Sequence, residues 1–199
     1  MSTAFLSTAY LAPIQYYSKL VTFEEIRIEA EENYPKQTYR NRCIISTANG
    51  TQALTVPVEK PDTLKAPTRD IRISEHGNWR HLHWNALVSA YNMSPFFEYY
   101  VDDFRPFYEK KFTFLIDYNA ALQNVVCDLI DIHPVVVRTS NYEPVVENDF
   151  RYAITPRNSL PDIDFKQYYQ VFRDKHGFIP NLSIVDLLFN MGPESILYL

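Results

Sequence analysis

The chain has 199 residues, 46% of them hydrophobic and 15% aromatic, with a formal charge of -5 and only four glycines beside thirteen prolines. An average chain of this length carries roughly 14 glycines; Gly50, Gly77, Gly177 and Gly192 lie too far apart to share a phosphate-cradling turn, so dinucleotide and P-loop folds are excluded and no cofactor is expected. The excess of 24 Asp+Glu over 19 Lys+Arg supplies no field for a nucleic acid backbone, which excludes that partner class.

In chain order, Phe5 to Leu11 is apolar and reads as a buried strand, and Ile26 and Ile28 alternate with Glu25, Arg27 and Glu29 as in a half-buried one. Arg42 to Thr47 and Thr51 to Val58 flank Ala48, Asn49 and Gly50, where Asn-Gly supplies the positive backbone angles of a tight hairpin. Val56 to Thr68, with three prolines and alternating charges, reads as a surface loop. From Asn78 the period becomes helical, with Trp79, His83, Ala86, Leu87, Ala90 and Tyr91 on one face. Ser94 and Pro95 predict the N-cap and first turn of a second helix that Pro106 ends. A third helix runs from about Phe114 to Ile130 and stops at His133 and Pro134, and Val135 to Val137 reads as a short strand.

The polar stretch from Arg138 to about Asp162 carries no assignable element. Beyond it, Ser183 and Asp186 predict a capping box, Leu182 on Leu187 a hydrophobic staple, and Gly192 a C-terminal cap. The expected fold is α+β, an N-terminal, mostly antiparallel sheet with a hairpin, covered by C-terminal helices. No repeat or linker divides it, so residues 1–199 are expected to form one domain.

Chemistry-bearing residues gather first between Tyr34 and Arg42. If that segment is extended, Lys36, Thr38, Arg40 and Arg42 share a face, three cations able to take a carboxylate or phosphate. The alternative is a solvated strand whose cations pair with Glu29, Glu31 and Glu32. His81 and His83 lie about 200° apart on a helix, so they do not chelate together and no metal is expected. His83 sits in the apolar stripe, either as a satisfied core histidine or as a general acid or base.

Cys43 has no activating neighbour, because Arg42 points to the opposite face of a strand. With Cys127 it forms no CxxC pair, which suits a reducing compartment. Asp186 and Asn190, four apart, share a helix face that either caps the helix or offers polar groups to a ligand. No positive leader opens the chain and no apolar run reaches a membrane span, so a soluble cytoplasmic protein is expected.

Taken in order, several features resemble the WbqC-like protein family of bacteria over most of the chain. They are Lys36 followed by Arg40, Asn41 and Arg42, the strand Leu54 to Val58, Trp79 with His83 four residues on, Tyr91, Ser94 to Phe97, Asn119, and the block Pro180 to Gly192. The resemblance implies a place in O-antigen or other surface polysaccharide (lipopolysaccharide) biosynthesis, as a transferase moving an acyl or aminoacyl group, such as glycine, to a sugar. The partners it implies are a small-molecule donor, a sugar or glycan acceptor, and enzymes of that pathway.

The same resemblance implies one shared site, with His83 and Asp186 catalytic and Lys36, Arg40, Asn41, Arg42, Trp79, Tyr91 and Asn190 binding substrate. The alternative is a module that binds a glycan or nucleotide sugar, or docks a partner enzyme, without chemistry of its own. Longer family members open on Gln-Pro and carry a Tyr-x-Ser-Gly motif after the last central strand. Here Thr8 to Pro13 replaces the first, and Asp149 to Tyr152 with Pro156 to Asn158 stands in place of the second.

Overall fold

A computed structural model describes residues 2–61, 63, 65–157 and 164–199; Asn158, Pro161 and Asp162, at the end of the unassigned stretch, lie outside them. The fold is α+β, with two small sheets and six helices among the described residues. The first sheet has the order β1 (Thr3–Ser7), β2 (Glu25–Glu29), β5 (Val135–Arg138), and both of its pairings are parallel. The expectation of a mostly antiparallel sheet is corrected here. The reason is α1 (Ile14–Thr22), a helix the sequence reading did not anticipate, which carries the chain back so that β2 enters beside β1 in the same direction.

The hairpin is where it was expected. β3 (Arg42–Thr47) pairs antiparallel with β4 (Gly50–Thr55), and Gly50 alone of the turn takes a positive φ, 103°. Four helices supply most of the remaining core. α2 (Trp79–Tyr91) buries Trp79, His83, Leu87, Ala90 and Tyr91, five of the six residues on the expected face. α3 (Phe97–Glu109) begins three residues after Ser94, whose side chain does not cap it, and continues one turn past Pro106, whose carbonyl accepts from the Lys110 N–H at 2.9 Å. Proline lacks only the N–H that would reach back to the Asp102 carbonyl, and its own carbonyl still serves the turn beyond it, so the helix continues past it. α4 (Leu115–Leu129) matches its predicted span, and a single turn, α5 (Arg173–His176), precedes α6 (Ile184–Met191).

α6 is buried along its length except at Met191. The predicted capping box is absent: Ser183 Oγ donates to the Leu11 carbonyl at 2.7 Å, and the Asp186 carboxylate is turned into the core. Tertiary partners outcompete the local cap because both groups are buried and must be satisfied wherever donors and acceptors exist. Gly192 does end the helix, at φ 56°, with the Phe96 ring 2.5 Å from where a Cβ would stand. Gly192→Ala is therefore expected to lower stability by about 2 kcal/mol, adding overpacking to left-handed strain. Urea denaturation measures it, and an unchanged midpoint would contradict the packing described.

Candidate functional site

The segment from Tyr34 to Asn41 is a turn, not a strand, and Gln37 takes a positive φ of 61°. The alternation that would align three cations therefore does not form. Lys36 is exposed. Arg40 is buried, 1% exposed, and its guanidinium forks onto Glu32, 0% exposed, through Nε at 2.6 Å and Nη2 at 2.7 Å. Asn41 donates to the Val56 carbonyl at 2.9 Å, and Arg42 reaches Thr55 Oγ1 at 3.2 Å from the hairpin.

A second buried arginine stands beside Arg40. Arg151 donates to Glu29 at 2.8 Å and to Asp149 at 2.9 and 2.6 Å, while its carbonyl accepts from Arg40 at 3.2 Å. Arg151 comes from the polar stretch to which the sequence assigned no element. Its own pKa is pushed upward, first by the hydrogen bonds to Asp149 and then, after desolvation, by those to Glu29. Removing one partner of such a pair strands a charge in the core. Arg40→Met is expected to cost about 3 to 5 kcal/mol in denaturant unfolding, and Arg40→Met with Glu32→Leu much less. Equal losses in both variants would contradict a desolvated pair.

Asp186 is 1% exposed and has no cation partner among the described residues; Tyr91 donates to it at 2.8 Å, Tyr168 at 2.6 Å and Gln170 at 3.0 Å. Burial raises its pKa, and these three donors oppose the shift. Asn190 donates to the Asp186 carbonyl at 2.7 Å. Tyr91, Asp186 and Asn190 thus form one cluster, while Arg40 belongs to another.

His83 forms a third cluster. Its Nδ1 lies 3.0 Å from the Tyr10 hydroxyl, which lies 2.9 Å from that of Tyr108. Burial lowers the His83 pKa to about 4, with a backbone hydrogen bond at Thr55 in opposition.

A cavity of about 590 Å³ opens beside this cluster. Tyr108, Trp79 and Trp84 line it with Glu75, Arg80, Arg105, Glu109 and Lys111. α2 divides its residues between core and cavity: Trp79 holds its indole in place by donating to the Ser74 carbonyl at 3.0 Å, and its ring meets His83 at 5.1 Å and Tyr118 at 5.8 Å. Arg80 stacks on Trp79 at 4.8 Å, Arg105 lies 5.9 Å from Trp84, and Tyr108 lies 5.6 Å from Trp84. The Tyr118 hydroxyl is buried near that of Tyr108, and burial pushes its pKa well above the usual phenol value, with the Arg80 charge in opposition.

Of the site residues that the resemblance implied, Trp79 alone lines this cavity; His81, weighed above only as a metal ligand, lines it too. Arg80, Trp84, Arg105, Tyr108 and Lys111 were missed. A legible signal existed in the two tryptophans five residues apart, both in one helix and the first followed directly by arginine.

Burial gives His83 a defined pH signature. Its folded pKa of about 4 lies below the unfolded value of about 6.5, so the unfolded chain binds the proton first. The His83 contribution is complete above pH 6.5 and is lost as pH falls toward 4, by up to about 3 kcal/mol. Unfolding measured across that range should show this loss in the wild type and not in His83→Gln; parallel curves would contradict a buried neutral imidazole.

The WbqC-like protein family matches over residues 8–158 and 157–198. The chain is also 26% identical over 223 aligned residues to "Uncharacterized protein Rv1507c" of Mycobacterium tuberculosis (strain ATCC 25618 / H37Rv), an alignment covering 98% of this chain and 96% of that relative. No solved structure matches. Among the described residues no helix is long and apolar enough to cross a membrane.

Proposed function

The chain belongs to the WbqC-like protein family, and on that premise we propose that it binds an anionic, ring-bearing small molecule of the sugar-nucleotide or sugar-phosphate class, within surface polysaccharide assembly. The observation that carries this reading is the composition of the cavity between α2 and α3. Two tryptophans, the only two in the chain, face it together with three cations, Arg80, Arg105 and Lys111, and two carboxylates, Glu75 and Glu109. Aromatic faces stack on nucleobases or pyranose rings, and guanidinium forks take phosphate oxygens. The volume of about 590 Å³ is in the range of small-molecule sites.

Acyl or aminoacyl transfer in the same cavity is the second reading, and the Tyr108, Tyr10 and His83 chain favours it. Tyr108 lines the cavity, and its hydroxyl leads through Tyr10 to His83 Nδ1. In that reaction His83 takes up the acceptor's proton through the two tyrosines and returns it to the leaving group. Binding is the primary reading because burial makes His83 a weak base, at about 4. Burial likewise pushes the Cys127 thiol up to about 12 and Cys43 further, so both are neutral and inert as nucleophiles.

Because both tryptophans lie in the cavity, intrinsic tryptophan emission reports on it directly. Titration with a panel of nucleoside diphosphate sugars is expected to quench or shift that emission saturably. Arg80→Gln should weaken the effect about tenfold or more through loss of a charge-assisted fork. Emission indifferent to every member of the panel would dismiss the binding reading. Release of the acyl donor's leaving group, and its loss in Tyr108→Phe, would promote transfer over binding.

A further inference from the structure

The cavity already contains an anion of its own. Glu75 places Oε1 2.7 Å from Arg80 Nη2 and Oε2 2.9 Å from Nη1, filling both prongs of the guanidinium, and Oε2 also lies 3.3 Å from Lys111 Nζ. The two partners differ in their freedom. The Arg80 side chain is 13% exposed and stacked on Trp79, whereas that of Glu75 is 46% exposed. The cation is a fixed part of the wall and the carboxylate a movable occupant.

The backbone around Glu75 fits that description. Ser74 is anchored on one side, its N–H donating to the Pro57 carbonyl at 2.9 Å and its own carbonyl accepting from Trp79 at 3.0 Å. On the other side α2 begins at Trp79. Between these anchors residues 75–78 are all exposed, and Gly77 and Asn78 both take left-handed angles, φ 81° and 48°. Moving this span breaks no core packing, so its displacement is drawn from the low-stability end of the structure.

We propose that Glu75 is an internal competitor: its carboxylate occupies the Arg80 fork in the free protein, and the ligand's phosphate displaces it, so that the cavity accepts phosphate dianions and diphosphates in preference to carboxylates. This rests on the binding reading given above. An incoming carboxylate exchanges like for like at Arg80, and an exchange without differential affinity shifts nothing. A phosphate dianion brings additional charge. Lys111, released from Glu75, and Arg105 on the same wall, held only by an exposed pair with Glu109 at 3.5 Å, are the groups placed to meet it. Glu75 thereby sets a threshold of ligand charge below which the fork stays closed.

The test compares the full-length wild type with Glu75→Gln and Glu75→Ala by calorimetric titration of inorganic pyrophosphate and of succinate, with tryptophan emission and thermal midpoint followed in parallel. Both variants are expected to bind pyrophosphate about fivefold more tightly than the wild type, the size of one partly exposed ion pair. They should also bind succinate, which the wild type rejects, and adding Arg80→Gln should abolish both gains. Unchanged or weaker pyrophosphate binding at an unchanged thermal midpoint overturns the competitor role. If nucleotide sugars still perturb the wild-type tryptophans in that case, the cavity remains the binding site and this inference alone falls. Pyrophosphate and nucleotide sugars both inert toward wild type and variants would remove the two together.

Discussion

The pair of buried arginines, Arg40 and Arg151, is the constraint from which the rest of the architecture follows. Charged groups are tolerated in a core only when every partner is in place, and here the partners come from three separate stretches. Glu29 ends β2, Glu32 and Arg40 lie in the following turn, and Asp149 with Arg151 comes from beyond β5. Glu29 also accepts from Thr139 at 2.7 Å, just past β5, so the lattice clamps the carboxyl ends of two neighbouring parallel strands. The backbone follows: Phe5 N–H donates to the Asn148 carbonyl, and Phe150 N–H returns to Phe5, extending β1 on its far side.

This clamp has a consequence for chemistry. In open parallel sheets the carboxyl ends of the strands are the usual place for a ligand. Here that place holds Arg40, Glu29, Glu32 and Arg151, each at most 1% exposed. The positive charge within it is already neutralised by the carboxylates beside it. Cations able to meet an external anion therefore come from the helical side, where Arg80 and Arg105 lie on α2 and α3 and Lys111 follows α3. α2 joins the two regions, since Trp79 contacts both the buried His83 and the cavity-facing Arg80.

Features decided by local chemistry were legible in the sequence: the hairpin, the buried face of α2, the span of α4, and Gly192 as a helix stop. Features decided by partners distant in the chain were not. Alternation between Lys36 and Arg42 presupposes an extended backbone, and the left-handed Gln37 breaks it. α1 is nine residues long and hides its apolar face among tyrosines and a buried Gln15, so its helical period is short and its role in making the sheet parallel was invisible. The Ser183 and Asp186 spacing predicted a capping box that does not form, because both side chains found better acceptors and donors from segments far away in sequence. For the site, the aromatic member Trp79 was found through its helix, whereas Arg105 and Lys111 reach the same wall only through the packing of α3 on α2.

The fold buries carboxylates in two ways, and the contrast separates structural from responsive regions. Glu29 and Glu32 face guanidinium groups, so their ionised forms are neutralised by charge. Asp186 faces two phenols and an amide, which stabilise the anion by hydrogen bonds alone, and its pKa rises because three neutral donors do not replace lost hydration. Through those donors Asp186 joins α6 to Tyr91 at the end of α2 and to the 168–170 strand of chain that leads into it. Further bonds tie the same block down, with Ile14 N–H donating to the Leu182 carbonyl and Phe96 N–H to that of Phe189. Residues 164–198, the described part of the C-terminal segment matched by the family after Arg157, are thus fastened to the helix that also carries the cavity wall. Charge neutralisation holds the sheet, neutral hydrogen bonding holds α6 against α2, and the exposed pairs on the cavity wall, Glu75 with Arg80 and Arg105 with Glu109, are ionic contacts that can open without unfolding either.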